Sequence, residues 1–297
     1  MVLENYVKTQ AKKLGFAACG FADVDCLKQK IELLVAREQV NASCPLETAD
    51  VVSRTEPQLL QTTTKTIIAL ALPYDKSNFW EPGICASAQG IDYHIVVKKK
   101  LEQLASELKI LLPELKYTIL VDNNPLLERS IAEAAGLGWI GKNGMLIVPE
   151  IGSFVALGEI LVNVSLTKAQ PLKEQCGTCQ KCIIACPAQA IASDKRVIAK
   201  NCLSWLSQKK EELTKKEIAL LGNKIFGCDA CQLVCPYNQV YLQELQYGDL
   251  SFNQAKLESM SKQEFRNEFG EKAYAWRGKK QLLKNYLRSL KYGTFEQ

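Results

Sequence analysis

Histidine is almost missing: among 297 residues there is one, His94. A histidine-activated nucleophile or a histidine-built zinc centre therefore has almost nothing to draw on, and His94 alone reads as a neutral structural residue. No apolar run is long enough to cross a bilayer. The amino-terminal MVLENYVKTQAKKLGF also lacks the basic region, long apolar stretch and small-residue cleavage site of a secretory leader. A cytoplasmic protein, free of membrane and monomeric, is the expectation. The net charge of +5 permits an anionic partner without requiring one.

What the chain has is cysteine, twelve in all. In a reducing compartment these are metal ligands and buried thiols more often than disulfides. Cys176, Cys179, Cys182 and Cys186, followed by Pro187, spell C-x2-C-x2-C-x3-C-P, the spacing that wraps thiolates around a 4Fe-4S cluster. Cys228, Cys231, Cys235 and Pro236 repeat the second half, and Cys202 can supply the missing thiolate. In two-cluster proteins the last cysteine of each run ligates the other cluster. One cluster is thus assigned Cys176, Cys179, Cys182 and Cys235, and the other Cys202, Cys228, Cys231 and Cys186. Two zinc sites built from C-x2-C pairs are the competing reading; the two C-x3-C-P tails favour clusters, and with them redox chemistry. Cys19, Cys26, Cys44 and Cys85 lack ligand spacing and read as free thiols.

Along the chain, helical periodicity over residues 2–15 stops at Gly15. Helices are expected over 28–39 and 91–112, an irregular polar stretch over 41–61, and buried strands over 66–72 and 117–121. Strand, helix, strand implies an α/β layer. Asp122 ends the second strand, a place where α/β sheets bind ligands, and Pro125 is suited to starting the helix that Gly136 stops. A catalytic acid and a helix cap are both open to Asp122. Gly136, Gly138 and Gly141 match G-x-G-x-x-G, but a helix precedes them and a strand follows, the wrong context for a dinucleotide site. They either let backbone pass close to a flat ligand or turn tightly. Beyond the cysteines, residues 253–297 read as helical and basic. An apolar stripe of Leu282, Leu283, Tyr286, Leu287 and Leu290 lies among Arg277, Lys279, Lys280, Lys284, Arg288 and Lys291. That is a solvated face or, with Tyr274, Trp276 and Tyr286, a nucleic-acid contact.

The segments VDNNPLLERSIAEAAGLGWIGKNGMLIVPEIGSFVALGEIL, CGTCQKCIIACPAQAI and FGCDACQLVCPYN together resemble the epoxyqueuosine reductases, iron-sulfur and cobalamin-dependent enzymes of queuosine tRNA modification. Weaker likeness extends to SRTEPQLL, TIIALALPY and GIDYH, and RGKKQLLKNYLRSL resembles the start of the family's helical-repeat tail, here shortened. The resemblance implies an α/β cobalamin-binding catalytic domain over 1–167, a ferredoxin-like module with two 4Fe-4S clusters over 168–245, and a short basic helical segment over 246–297. It implies that electrons pass from an external low-potential donor through the clusters to cobalamin. It also implies reduction of epoxyqueuosine to queuosine at the wobble position, in the anticodon stem-loop of tRNA. Asp122 matches the family's proton donor, which as a general acid calls for a raised pKa. Corrin contacts are expected at Asp122, Gly138, Trp139, Ile140, Gly141, Lys142 and Ser153. Against the family, Cys85, Ala86 and Ser87 stand where serine, arginine and tyrosine are usual, and Asn123-Asn124 where threonine and glycine are. These departures keep two alternatives in view: a cobalamin-dependent reductase of another small epoxide or halide, and an iron-sulfur electron carrier without its own substrate.

Overall fold

The computed structural model describes residues 3–40, 43–47, 50–76, 80–194 and 196–292; Val2 of the first expected helix and residues 293–297 of the expected tail lie outside them. The chain forms two compact units, Met1–Pro73 with His94–Gln180, and Tyr74–Tyr93 with Lys181–Gln297. These bounds cut across the segments drawn from sequence. Residues 74–93 group with the carboxyl-terminal half, and Cys176 and Cys179 stay with the first unit.

The first unit holds β1 (Ala18–Asp23), β2 (Thr66–Pro73), β3 (Tyr117–Leu120), β4 (Trp139–Ile140), β5 (Leu146–Ile147) and β6 (Val155–Val162). Its helices are α1 (Leu3–Lys13), α2 (Ile31–Gln39), α3 (Val51–Thr55), α4 (Tyr93–Leu111, from the junction) and α5 (Glu128–Ala134). The sheet order is β1-β2-β6-β3, and every neighbouring pair is antiparallel. The expected α/β layer forms, yet β2 and β3 are not neighbours. The buried run VALGEILV of β6 lies between them, pairing Thr66 with Val162 on one side and Leu120 with Glu159 on the other. That leaves β3 at an edge with Tyr117 exposed, where burial was expected.

Alternation along β6 decides which helix meets which face. A Cβ on Gly158 would sit 2.7 Å from Val97 and 2.8 Å from Leu101, so α4 packs on that face and needs the glycine there. Val155, Leu157 and Leu161 face the other way, into a core with Ile131, Ala132 and Ala135 of α5. Glu159 has the same parity as these residues, so it stands on the α5 face.

Two local readings change. The helix after Asp122 starts at Glu128, not at Pro125, because Asn124 Oδ1 accepts the Leu126 N–H at 2.9 Å and spends the intervening residues on a turn. The polar stretch 41–61 contains α3, capped by Asp50, whose side chain accepts from Ser53 N–H at 3.0 Å.

The second unit is helical: α6 (Lys181–Ala185), α7 (Leu203–Leu206), α8 (Lys215–Leu221), α9 (Ala230–Leu233), α10 (Gln239–Leu242), α11 (Gln254–Ser259), α12 (Lys262–Phe269) and α13 (Lys279–Ser289). Its core gathers Phe252, Phe265, Phe269, Tyr274 and Leu282. The tail is less of a solvated face than its charge suggests. Arg288 is buried and donates to the Lys224 carbonyl, and Asn285 Nδ2 donates to the carbonyls of Ser207 (2.6 Å) and Ile225 (3.0 Å). Of the three aromatics considered for nucleic acid, Tyr274 is buried and Tyr286 packs on Phe252, leaving Trp276 exposed under Arg277. Among the described residues no helix is long and apolar enough to cross a membrane.

Candidate active site and cluster ligands

Asp122 follows β3 with φ +47°, a left-handed backbone uncommon for aspartate. It does not cap α5; the residue before that helix is Leu127, with no side-chain cap. Instead its carboxylate Oδ2 lies 2.9 Å from Nε2 of His94 in the first turn of α4. The Asp122 side chain keeps half its surface exposed. His94 is thus not a bystander in the core. One proton serves the two partners, as imidazole N–H to carboxylate or carboxylic O–H to imidazole.

Beneath this pair stand two more carboxyls. Glu128 Oε1 accepts the Asp122 backbone N–H and, at 3.2 Å, the Asn124 amide. Burial, then the charge of Asp122, pushes the Glu128 carboxyl up to about 7. Glu159 is 1% exposed, and neither of its oxygens has a hydrogen-bond partner among the described residues. Burial, with the charges of Glu128 and Asp122 added, pushes its carboxyl well above the usual range. A buried carboxylate without partners costs far more than the neutral acid, so Glu159 carries a proton.

That proton has a measurable consequence. As pH rises past the ordinary glutamate range, the unfolded chain gives up a proton that the folded chain keeps. Stability then falls by about 1.4 kcal/mol per pH unit until Glu159 itself ionises. Glu159→Gln has no proton to lose. Its melting temperature should exceed that of the parent near about pH 8 and converge with it near about pH 4; parallel melting curves across that range would contradict a protonated Glu159.

The glycine motif turns tightly. Gly136 ends α5 with φ +74°, while β4 and β5 pair as a short hairpin through residues 141–145. A Cβ on Gly138 would lie 2.1 Å from the Ile147 carbonyl oxygen, and one on Gly141 2.7 Å from the Ile147 side chain. The bareness of both glycines is used by the hairpin itself. Of the expected corrin contacts, Gly138, Trp139, Gly141 and Ser153 are buried, whereas Ile140 and Lys142 keep part of their surface. Lys142 Nζ donates to the carbonyls of Gly177 (2.6 Å) and Cys179 (2.8 Å), tying the hairpin to the first C-x2-C turn.

In the second unit, α6 packs against α9, which brings the segment of Cys182 and Cys186 to that of Cys231 and Cys235. The thiols of Cys228, Cys202 and Cys182 all bear on Cys231, and the Ala190 N–H donates to Cys186 Sγ at 3.2 Å. Burial pushes the thiol of Cys228 up to about 11 and that of Cys231 up as well. A ligated metal would offset this, since metal binding deprotonates thiols. Among the described residues no three His, Cys, Asp or Glu side chains converge on a single-ion site. A four-iron cluster offers one iron to each thiolate.

Two departures from the resembled family also find their place. Cys85 is buried with its N–H on the Phe226 carbonyl (2.9 Å), and the Ala86 N–H reaches Asp229 Oδ2 at 2.6 Å. Both residues therefore pack under the loop of Cys228 and Cys231. Gly227, at φ +72°, is held open for Cys85, whose Sγ would meet a Cβ there at 2.0 Å. Gly227→Ala is expected to cost more than about 2 kcal/mol through strain and overpacking, read as a lowered denaturation midpoint; an unchanged midpoint would refute that packing.

The chain is similar to known proteins over most of its length. Residues 54–123 match the family model described as epoxyqueuosine reductase QueG, DUF1730, and residues 175–238 match the 4Fe-4S double cluster binding domain. The epoxyqueuosine reductase of Bacillus anthracis is 34% identical over 97% of this chain and 80% of its own length; that of Bacillus subtilis is 33% identical over 94% and 76%. Among solved structures, an epoxyqueuosine reductase with an epoxyqueuosine-modified tRNA-Tyr stem loop superposes with a TM-score of 0.88 at 32% identity, covering 98% of this chain and 81% of that one. A Bacillus subtilis structure with its catalytic aspartate loop swung out of the active site matches with a TM-score of 0.88 at 31% identity, with the same coverage. With likeness of this extent in both sequence and fold, the chain belongs to the epoxyqueuosine reductase family.

Proposed function

We propose that the protein reduces epoxyqueuosine to queuosine in tRNA, with Asp122 as the proton donor to the epoxide oxygen. Family membership over nearly the whole chain supports the reaction, and the single observation that carries the assignment of Asp122 is its 2.9 Å contact with His94 at an exposed strand end. Opening the epoxide to an alkene and water consumes two electrons and two protons. The electrons would come from cobalamin when bound, received through the two clusters from an external low-potential donor. We divide the labour as 1–167 for cobalamin and chemistry, 168–245 for the clusters and 246–297 for the helical tail. Asp122, Ser153 and residues 138–142 would border the corrin, Ile140 and Lys142 with the surface they keep, and the buried Gly138, Trp139, Gly141 and Ser153 by shaping the wall behind them.

The chain's own residues handle the proton. Asp122 gives it to the departing oxygen, and His94, the only side chain of its kind here, holds the carboxyl at that position and shares its proton between turnovers. The relative's displaced aspartate loop leads us to infer that residues 121–127 can likewise leave the site. The second copy of the C-x3-C-P pattern supports the crossed ligand sets proposed above. The test is turnover of an epoxyqueuosine-bearing tRNA stem loop by the anaerobically reconstituted chain. Queuosine formation is expected; cobalamin binding with no action on that RNA would favour another epoxide or halide, and failure to bind any corrinoid would favour an electron carrier.

A further inference from the structure

Asp122 holds a left-handed backbone without being glycine, so something must pay for the strain. Its own backbone N–H is fixed by Glu128 Oε1, the same oxygen that takes the Asn124 amide at 3.2 Å. One carboxylate oxygen therefore closes the turn at both ends. Asn124 in turn accepts the Leu126 N–H at 2.9 Å, so the whole stretch from Asp122 to the start of α5 hangs on Glu128. Glu128 itself opens α5, where the free N–H groups of the first turn favour a negative side chain. Its body is fixed by the helix, whose Ile131 and Ala132 pack into the core on β6. The buried Glu159 behind it makes no hydrogen bond among the described residues, so it does not take Glu128 away from the loop.

We propose that Glu128 is a positioning residue for the reaction, a clamp that holds the loop of Asp122 in the conformation where its carboxyl meets His94. This rests on Asp122 being the proton donor. Opening of the loop requires that both hydrogen bonds to Glu128 Oε1 break together, so the clamp sets how often the acid is in place without touching the RNA or the reacting atoms.

The test compares Glu128→Ala, Glu128→Gln and Asp122→Ala in the full chain, with two readouts. In amide hydrogen exchange on the protein without RNA, peptides covering residues 120–127 should exchange faster in Glu128→Ala and as in the parent in Glu128→Gln, whose amide oxygen can still accept the Asp122 N–H. In turnover, Glu128→Ala should lose about 10²-fold in kcat with KM within about twofold, the scale expected of a displaced catalytic group. Glu128→Gln should recover most of that loss. Should Glu128→Ala fail to fold, Glu128→Asp, one methylene too short to reach the loop, replaces it. Unchanged exchange in the loop of Glu128→Ala, or equal losses in Glu128→Ala and Glu128→Gln, would overturn the clamp. An active Asp122→Ala would overturn the proton-donor assignment instead, and the exchange data would still report whether Glu128 holds the loop.

Discussion

Asp122→Asn is expected to keep its iron and lose about 10²–10⁴-fold in turnover, the range by which positioned acids accelerate reactions. The asparagine amide keeps the shape of the side chain and can still hydrogen-bond His94, so the 2.9 Å contact survives in altered form, but it has no proton to give an alkoxide-like oxygen. His94 lies within reach of that same carboxyl, so His94→Asn should produce a smaller loss, because water can partly restore the proton it shares. Stopped-flow turnover on the epoxyqueuosine stem loop measures both. An Asp122→Asn chain as fast as its parent would remove Asp122 from the reaction, whatever the clusters do.

The second large effect belongs to the sulfurs. Cys231→Ser should lower iron from about eight to about four atoms per chain, because it removes one thiolate of a four-ligand set and leaves the other cluster its own. Turnover should fall to background, since a broken wire passes no electrons. Cys231 lies on α9 within the influence of Cys228, Cys202 and Cys182, so its loss is felt by neighbours that no other residue can complete. Cys44→Ser, outside the ligand spacing, should leave iron content and rate unchanged. Iron assay with electron paramagnetic resonance of the reduced protein reads the difference. Full iron in Cys231→Ser would reassign that ligand, and stoichiometric zinc in the parent would revive the paired-zinc reading.

The parts of the molecule that sequence exposes are those whose chemistry is local. Most of the cluster ligands sit a few residues apart on one turn of chain, so their spacing survives in the linear record, and a strand followed by Asp122 is a local event as well. His94 and Asp122 are 28 positions apart, and no pattern couples a lone histidine to an acid across α4 and β3. Glu159 is hidden differently. It lies within an apolar run whose neighbours all read as core, and only the strand's parity shows that a carboxyl has been placed facing α5. The glycine motif signals close approach without saying what approaches; at Gly138 it is the Ile147 carbonyl, which no sequence pattern names. In the tail, charge patterning counted Arg288 as solvated, whereas its partner is a backbone carbonyl at Lys224, which no composition can announce.

The place of β6 in the sheet also governs the order in which the first unit can be made. β2 and β3 both wait for a partner encoded at residues 155–162, so the strands already synthesised present open edges until that segment emerges. Pairing over such separations is slow to close. A nascent chain ending before residue 155 holds three of this sheet's four strands, of which β1 and β2 can pair while β3 has no neighbour in the sheet. The carboxyl that β6 brings to the α5 face therefore arrives last, and the acid site is completed in the same step that removes the sticky edges on which a half-made chain would aggregate.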